Sequence, residues 1–138
     1  MATVDKRAMG IKTAPMLLTL SYVAAGGAIG ASLRFLANGV ATRLAPGFPW
    51  GTLVVNIVGC AVMGVLATVL ASKGARLAPF LLTGVLGGFT TFSAFSLDAL
   101  TLWERGEPVP ALLYVLGSVI LSLLAVLAGA ALARGVLA

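Results

Sequence analysis

At 138 residues, 60% hydrophobic and only 9% charged, with a mean hydropathy of +1.11, the chain lies far outside the composition of soluble domains. Its nine Lys and Arg residues are scattered and mostly flank apolar segments, which argues against nucleic acid as a partner. With no histidine and four acidic residues, it lacks the usual proton shuttle and any carboxylate cluster, so no enzyme is expected.

The composition predicts an all-α integral membrane protein. Four spans of about 20 residues each account for most of the length, so residues 1–138 form a single domain. Residues 1–15 carry Asp5, Lys6, Arg7 and Lys12 ahead of an apolar run, an outline shared with signal peptides. The run from Pro15 through Ala37 is nevertheless long enough to span. It also holds Gly26 and Gly30, a small-xxx-small pair that lets another helix approach closely, so it is read as span 1. Arg34 falls one turn beyond Gly30, near the end of this span, where two readings stay open: snorkelling to the interface, or a charge kept for function.

Asn38 to Pro49 is expected to be a loop, broken by Pro46, Gly47 and Pro49, with Trp50 as an interfacial aromatic. Span 2 then runs from Gly51 to about Ala71. Its one strongly polar side chain is Asn56, which shares a face with Cys60 and Gly64 at i, i+4 and i+8. The asparagine either bonds to another helix as glue or presents its amide to a water- or ion-filled cavity. Cys60, the only cysteine, is read as a small packing residue and excludes an intramolecular disulfide.

A short basic connection, Ser72 to Ala78, leads to span 3, Pro79 to Trp103, with Pro79 suited to a first helical turn. The centre of span 3 holds Gly87 and Gly88 followed by a hydroxyl-rich run, Thr90, Thr91, Ser93 and Ser96. Backbone at mid-membrane must satisfy its own polar groups, so an interruption persists only where protein, water or an ion takes them up. The prediction is therefore a transmembrane helix broken at its centre, and that break is the expected functional site. Phe92 and Phe95 share a face beyond it, a spacing that by itself means core packing, and Asp98 follows three residues on.

The tight loop Glu104 to Pro108 introduces span 4, Ala111 to about Ala133. Tyr114, Ser118 and Ser122 recur every fourth residue as a polar stripe, and Gly117, Leu121, Ala125, Gly129 and Ala133 form a mostly small stripe beside it. Short loops predict an up-down-up-down bundle with both termini on one side. Six basic residues on the terminal side against three on the other place the termini in the cytoplasm. Without Lys6, Arg7 and Lys12 the two sides are even.

Three segments taken together carry a resemblance. Gly26-Gly27-Ala28-Ile29-Gly30-Ala31-Ser32-Leu33-Arg34, Trp50-Gly51-Thr52-Leu53-Val54-Val55-Asn56-Ile57-Val58-Gly59 and Gly87-Gly88-Phe89-Thr90-Thr91-Phe92-Ser93-Ala94-Phe95-Ser96 resemble the signatures of the Fluc family of bacterial fluoride channels, also called CrcB. The likeness covers nearly the whole chain, with the motifs in order and at the right spacing. It implies a multi-pass protein of the bacterial inner membrane and a homodimer of two four-helix subunits inserted in opposite orientations. Two fluoride pathways would run along the subunit interface. The resemblance further implies a structural sodium ion at the dimer centre, held by the backbone carbonyls of Gly87 and Thr90. It makes Phe92 and Phe95 the pathway's phenylalanines and Asn56 its amide. Ser93, Tyr114, Ser118 and Ser122 become a polar track, and Arg34 a source of positive potential. One departure is Ala94, where the family usually carries a hydroxyl; Asp98 has no assigned role.

The competing expectation is a small proton-coupled drug or cation antiporter, also a short four-helix dimer. It requires a titratable carboxylate deep in the membrane. Asp98 is the sole candidate and lies near a helix end. A packing subunit without transport is the third possibility, and it leaves the broken helix and the polar stripe without a purpose.

Overall fold

A computed structural model describes residues 6–73 and 76–138 of the chain, and among them the side chains of 15–72 and 76–138. The N-terminal Asp5, the side chains of Lys6, Arg7, Lys12 and Lys73, and the middle of the predicted 72–78 connection lie outside that description. Helix α1 runs Lys6–Leu44, α2 Trp50–Lys73 and α5 Pro108–Leu137. Span 3 consists of two halves. The first, α3, is a wide-wound stretch Pro79–Leu86 closed by one α turn, Gly87–Phe89; the second, α4, is Phe92–Glu104. Four segments, Pro15–Leu44, Trp50–Ser72, Pro79–Glu104 and Pro108–Leu137, are long and apolar enough to cross a membrane. This is an all-α multi-pass membrane protein.

The first helix does not stop at Ala37. It continues to Leu44 through Asn38 and Gly39, so the connection to α2 shrinks to 45–49. A glycine inside a helix costs only about 1 kcal/mol, whereas Pro46 forces the residue before it out of helical geometry. The helix therefore ends just before Pro46, and Gly47 turns the chain with φ 98°. Arg43, expected in the loop, instead sits in the last turn of α1, where its charge suits the helix dipole. Span 4 likewise starts at Pro108, since a proline is tolerated in a first turn.

The packing gives the order up-down-up-down. Helices α2 and α5 run parallel, Gly64 lying against the backbone of Val126 and Ala130, and Gly129 against Ala61 and Val65. A Cβ at either glycine would collide with the facing helix backbone, so these residues set the interhelical distance. Helices α1 and α3 also run parallel, with Gly26 on Gly84, where an added Cβ would lie 2.9 Å from the facing Cα. The small-xxx-small pair of span 1 thus serves as expected, Gly30 resting on Val85 and Phe89.

The small stripe predicted on span 4 divides. Gly129 and Ala133 are buried, while Gly117 meets no neighbour and Leu121 is exposed. Only the C-terminal half of the stripe faces α2. The buried apolar cluster of the chain is Phe95, Leu102, Ala111 and Tyr114, between α4 and α5, with Phe48, Leu53, Ala99 and Val115 packed against it. Most other large apolar side chains point outward, as a lipid-facing surface requires.

Candidate functional site

Span 3 is broken, but two residues later than its glycines indicate. Gly87 is helical, with φ −65° and ψ −33°, and the chain leaves the helix only at Thr90 (φ −78°, ψ 158°) and Thr91 (φ −155°, ψ 123°). Threonine is β-branched and prefers extended backbone. The glycines serve close approach instead, since a Cβ on Gly88 would lie 2.7 Å from the Gly27 carbonyl oxygen.

Interruption of the helix frees backbone groups, and other helices take up several of them. The Asn56 amide closes on Thr91 from both sides: Nδ2 donates to the Thr91 carbonyl at 3.0 Å, and the Thr91 N–H donates to Oδ1 at 2.8 Å. Arg34 Nε donates to the Gly88 carbonyl at 3.1 Å. Thr91 Oγ1 accepts the Ala94 N–H at 3.2 Å and so caps α4. Its hydroxyl also lies 3.2 Å from that of Ser93. Thr90 bonds back to the Leu86 carbonyl through both its N–H and its hydroxyl, each at 2.9 Å.

Arg34 is therefore not near a helix end. Ten residues of α1 follow it, roughly 15 Å of helix, and its guanidinium is spent on the break rather than at the interface. The carbonyls of Gly87 and Thr90 accept no hydrogen bond from any described residue. They are hard oxygen donors, the type a small hard cation takes. No group of three or more His, Cys, Asp or Glu side chains is gathered anywhere among the described residues.

Beside the break lies an open groove of about 230 Å³, walled by Asn56, Cys60, Thr90, Thr91, Phe92, Phe95, Ser118, Val119 and Ser122. Five of the eight residues expected on the anion pathway meet there, Asn56, Phe92, Phe95, Ser118 and Ser122, together with Thr90. Phe95 is 7% exposed and Phe92 76%, with ring centroids 5.2 Å apart, so one ring is fixed in the wall and the other stands free at the rim. Ser118 is 4% exposed, and its hydroxyl has no partner among the described residues. The groove supplies the second N–H of the Asn56 amide, besides the positive edges of aromatic rings. These are groups that suit a small, partly dehydrated anion.

Three of the picked residues lie off the groove. Ser93 is exposed and bonds only to Thr91; Arg34 is on the Gly88 carbonyl; Tyr114 is buried behind Phe95, with its hydroxyl donating to Asp98 Oδ2 at 3.1 Å. Tyr114 belongs to a row of rings that sequence reading missed. Trp50, Phe48, Tyr114, Phe95 and Phe92 follow one another with centroids 4.6–5.6 Å apart, from the α1–α2 connection to the break. Phe48 comes from a loop and has no periodicity that would have marked it. Thr91 was visible as a hydroxyl residue but not as the partner of Asn56, a pairing across 35 positions.

Four apolar helices, one of them broken within its span and flanked by a groove, define a small multi-pass membrane protein organised around that break. The family model described as CrcB-like protein, Camphor Resistance (CrcB), matches residues 21–130. The chain belongs to this family. A relative from Paracoccus denitrificans, named fluoride-specific ion channel FluC, is 63% identical over 121 residues, covering 87% of this chain and 98% of its own. Relatives of the same name from Cereibacter sphaeroides and a Ruegeria species are 60% and 56% identical, covering 87% and 88% of this chain and 98% and 99% of theirs.

Proposed function

We propose that the protein is a fluoride-selective channel that lets fluoride leave the cell passively across the cytoplasmic membrane. The observation that carries the reading is the groove itself: an amide with an N–H to spare and two phenylalanines beside a broken span, with no acidic side chain among its lining residues. The relatives' name, at 56–63% identity over nearly their whole length, supplies the ion. Ring edges and neutral donors replace part of the water of a small anion without holding it as a fixed positive charge would. Ser118 and Ser122, one turn apart on α5, extend these donors along the helix. Arg34, at mid-helix, adds positive potential near the break.

The groove is open along the side that carries the exposed Phe92. In this reading a second copy in the opposite orientation closes it, giving two pathways per homodimer. The even charge balance outside the N-terminus suits insertion both ways. One chain offers two free carbonyls at the break, Gly87 and Thr90, and a two-fold mate doubles them to a set fit for sodium. A hard cation bound there supplies a partner for backbone oxygens that the break leaves without N–H donors. The antiporter alternative gains nothing from the fold. Asp98 stands at the middle of α4 and not near its end as expected, but it is paired with Tyr114 and lies off the groove.

The test is efflux from liposomes carrying the full chain, followed with a fluoride-selective electrode and, in parallel, a chloride electrode. Fluoride is expected to leave rapidly and chloride to stay. Equal rates for the two ions, or none for either, overturn the reading.

A further inference from the structure

We propose that Arg105 offsets the charge of Asp98 at a second cleft of the bundle and so sets how fast fluoride reaches the groove from that side. The proposal rests on the groove being the pathway. The cleft, about 170 Å³, lies at the end of the bundle that carries the connections 45–49 and 105–107. Its walls come from the last turn of α1, from Gly47, Phe48 and Pro49, and from α4, which brings Asp98 and, just past its end, Arg105. Seven residues separate these two, so they stand two turns apart on one face.

One layer of rings divides this cleft from the groove. Phe48 lines the cleft and packs edge-on against Tyr114 at 5.6 Å, Tyr114 packs on Phe95 at 5.4 Å, and Phe95 lines the groove. An anion approaching the groove from this end therefore comes to the cleft first.

The two charges of the cleft are tied very differently. Asp98 is half-buried and accepts the Tyr114 hydroxyl through Oδ2 at 3.1 Å, while its Oδ1 accepts from no described residue. A neutral phenol does not cancel a carboxylate, so an anion at the mouth meets repulsion. Arg105 is the one basic residue on the cleft's walls; Arg43, Glu104 and Glu107 are close in sequence but form no part of them. It is exposed, and its guanidinium makes a single long hydrogen bond, Nη1 donating to the Gly47 carbonyl at 3.5 Å. Most of its five N–H groups are left for water or for a passing anion. A cation about 10 Å along the helix from a carboxylate offsets its field without pairing with it, and being loosely held it does not trap the ion.

The experiment follows fluoride efflux from liposomes of the full chain, with valinomycin carrying potassium, at two ionic strengths set with potassium gluconate. At about 10 mM, where charges act over about 30 Å, Arg105→Gln is expected to lower efflux about threefold, the effect of a unit charge roughly 8 Å from the ion in a mostly aqueous cleft. Arg105→Lys should keep the parent rate. At about 1 M, where the range falls to about 3 Å, the deficit of Arg105→Gln should close. A second readout needs no flux. In a Cys60→Ala background, Thr42→Cys puts a thiol on the exposed wall of the cleft. Its rate of modification by a negatively charged methanethiosulfonate, divided by that for a positively charged one, should fall several-fold when Arg105→Gln is added. No deficit at low salt, a deficit that strong salt leaves unchanged, failure of Arg105→Lys to keep the rate, or an unchanged thiol ratio overturns the proposal. Absence of fluoride efflux in the parent chain overturns the channel reading instead, and the thiol ratio then still decides whether Arg105 sets the charge of the cleft.

Discussion

Helices α2 and α5 and the two halves of span 3 solve the same problem in opposite ways. Both must bury backbone where no water satisfies it. The α2–α5 pair does so within each helix, and the helices then approach through Gly64 and Gly129. Span 3 gives up its helix at Thr90 and Thr91, and side chains from elsewhere repair the damage, Asn56 from α2 and Arg34 from α1. Regular packing there makes a scaffold. Imperfect repair here leaves the Gly87 and Thr90 carbonyls unspent, and the candidate site lies beside them.

Substitution on each side of this contrast separates the two roles. Asn56→Leu has the largest expected effect. It leaves the Thr91 N–H and carbonyl unpaired, at about 1–3 kcal/mol for each group. Fluoride efflux should vanish and the chain should melt earlier in detergent; a variant with full flux would show that the break holds itself. Gly64→Leu comes next, forcing α2 from α5 at about 1–3 kcal/mol. It should reduce the yield of folded protein while the surviving channels keep their fluoride-over-chloride ratio. A lost ratio would place the scaffold inside the selectivity mechanism. Ser118→Ala is the subtler case. Deleting an unpartnered buried hydroxyl should leave the melting temperature unchanged or raise it, while fluoride efflux falls about tenfold. Unchanged efflux would make the hydroxyl a bystander.

The fold was legible because hydropathy alone delimits spans, and glycines four residues apart mark where helices touch. Helix ends were less so. Asn38 and Gly39 look like breakers, yet isolated breakers are tolerated in a helix and only Pro46 stops it. The residue types of the candidate site were legible in the sequence, and its geometry was less so. The glycine pair suggested the position of the break, but the extended preference of two threonines and the grip of Asn56 on Thr91 decided it. Such a pairing joins positions 35 apart and leaves no local pattern. Arg34 was ambiguous for a related reason: its depth depends on where α1 ends, which residues beyond it determine. Phe48 shows the limit most clearly, because a loop ring that packs on Tyr114 at 5.6 Å has no period to betray it.

The central claim is that the groove beside the break conducts fluoride, and Phe92 tests it most directly. Its ring is 76% exposed and stands 5.2 Å from that of Phe95, so removing it disturbs little of the fold. Fluoride efflux through Phe92→Leu should fall about tenfold, ~1.4 kcal/mol of barrier, while melting temperature and oligomer size stay as in the parent chain. Efflux equal to the parent's, in a variant shown to be folded and assembled, would contradict the account.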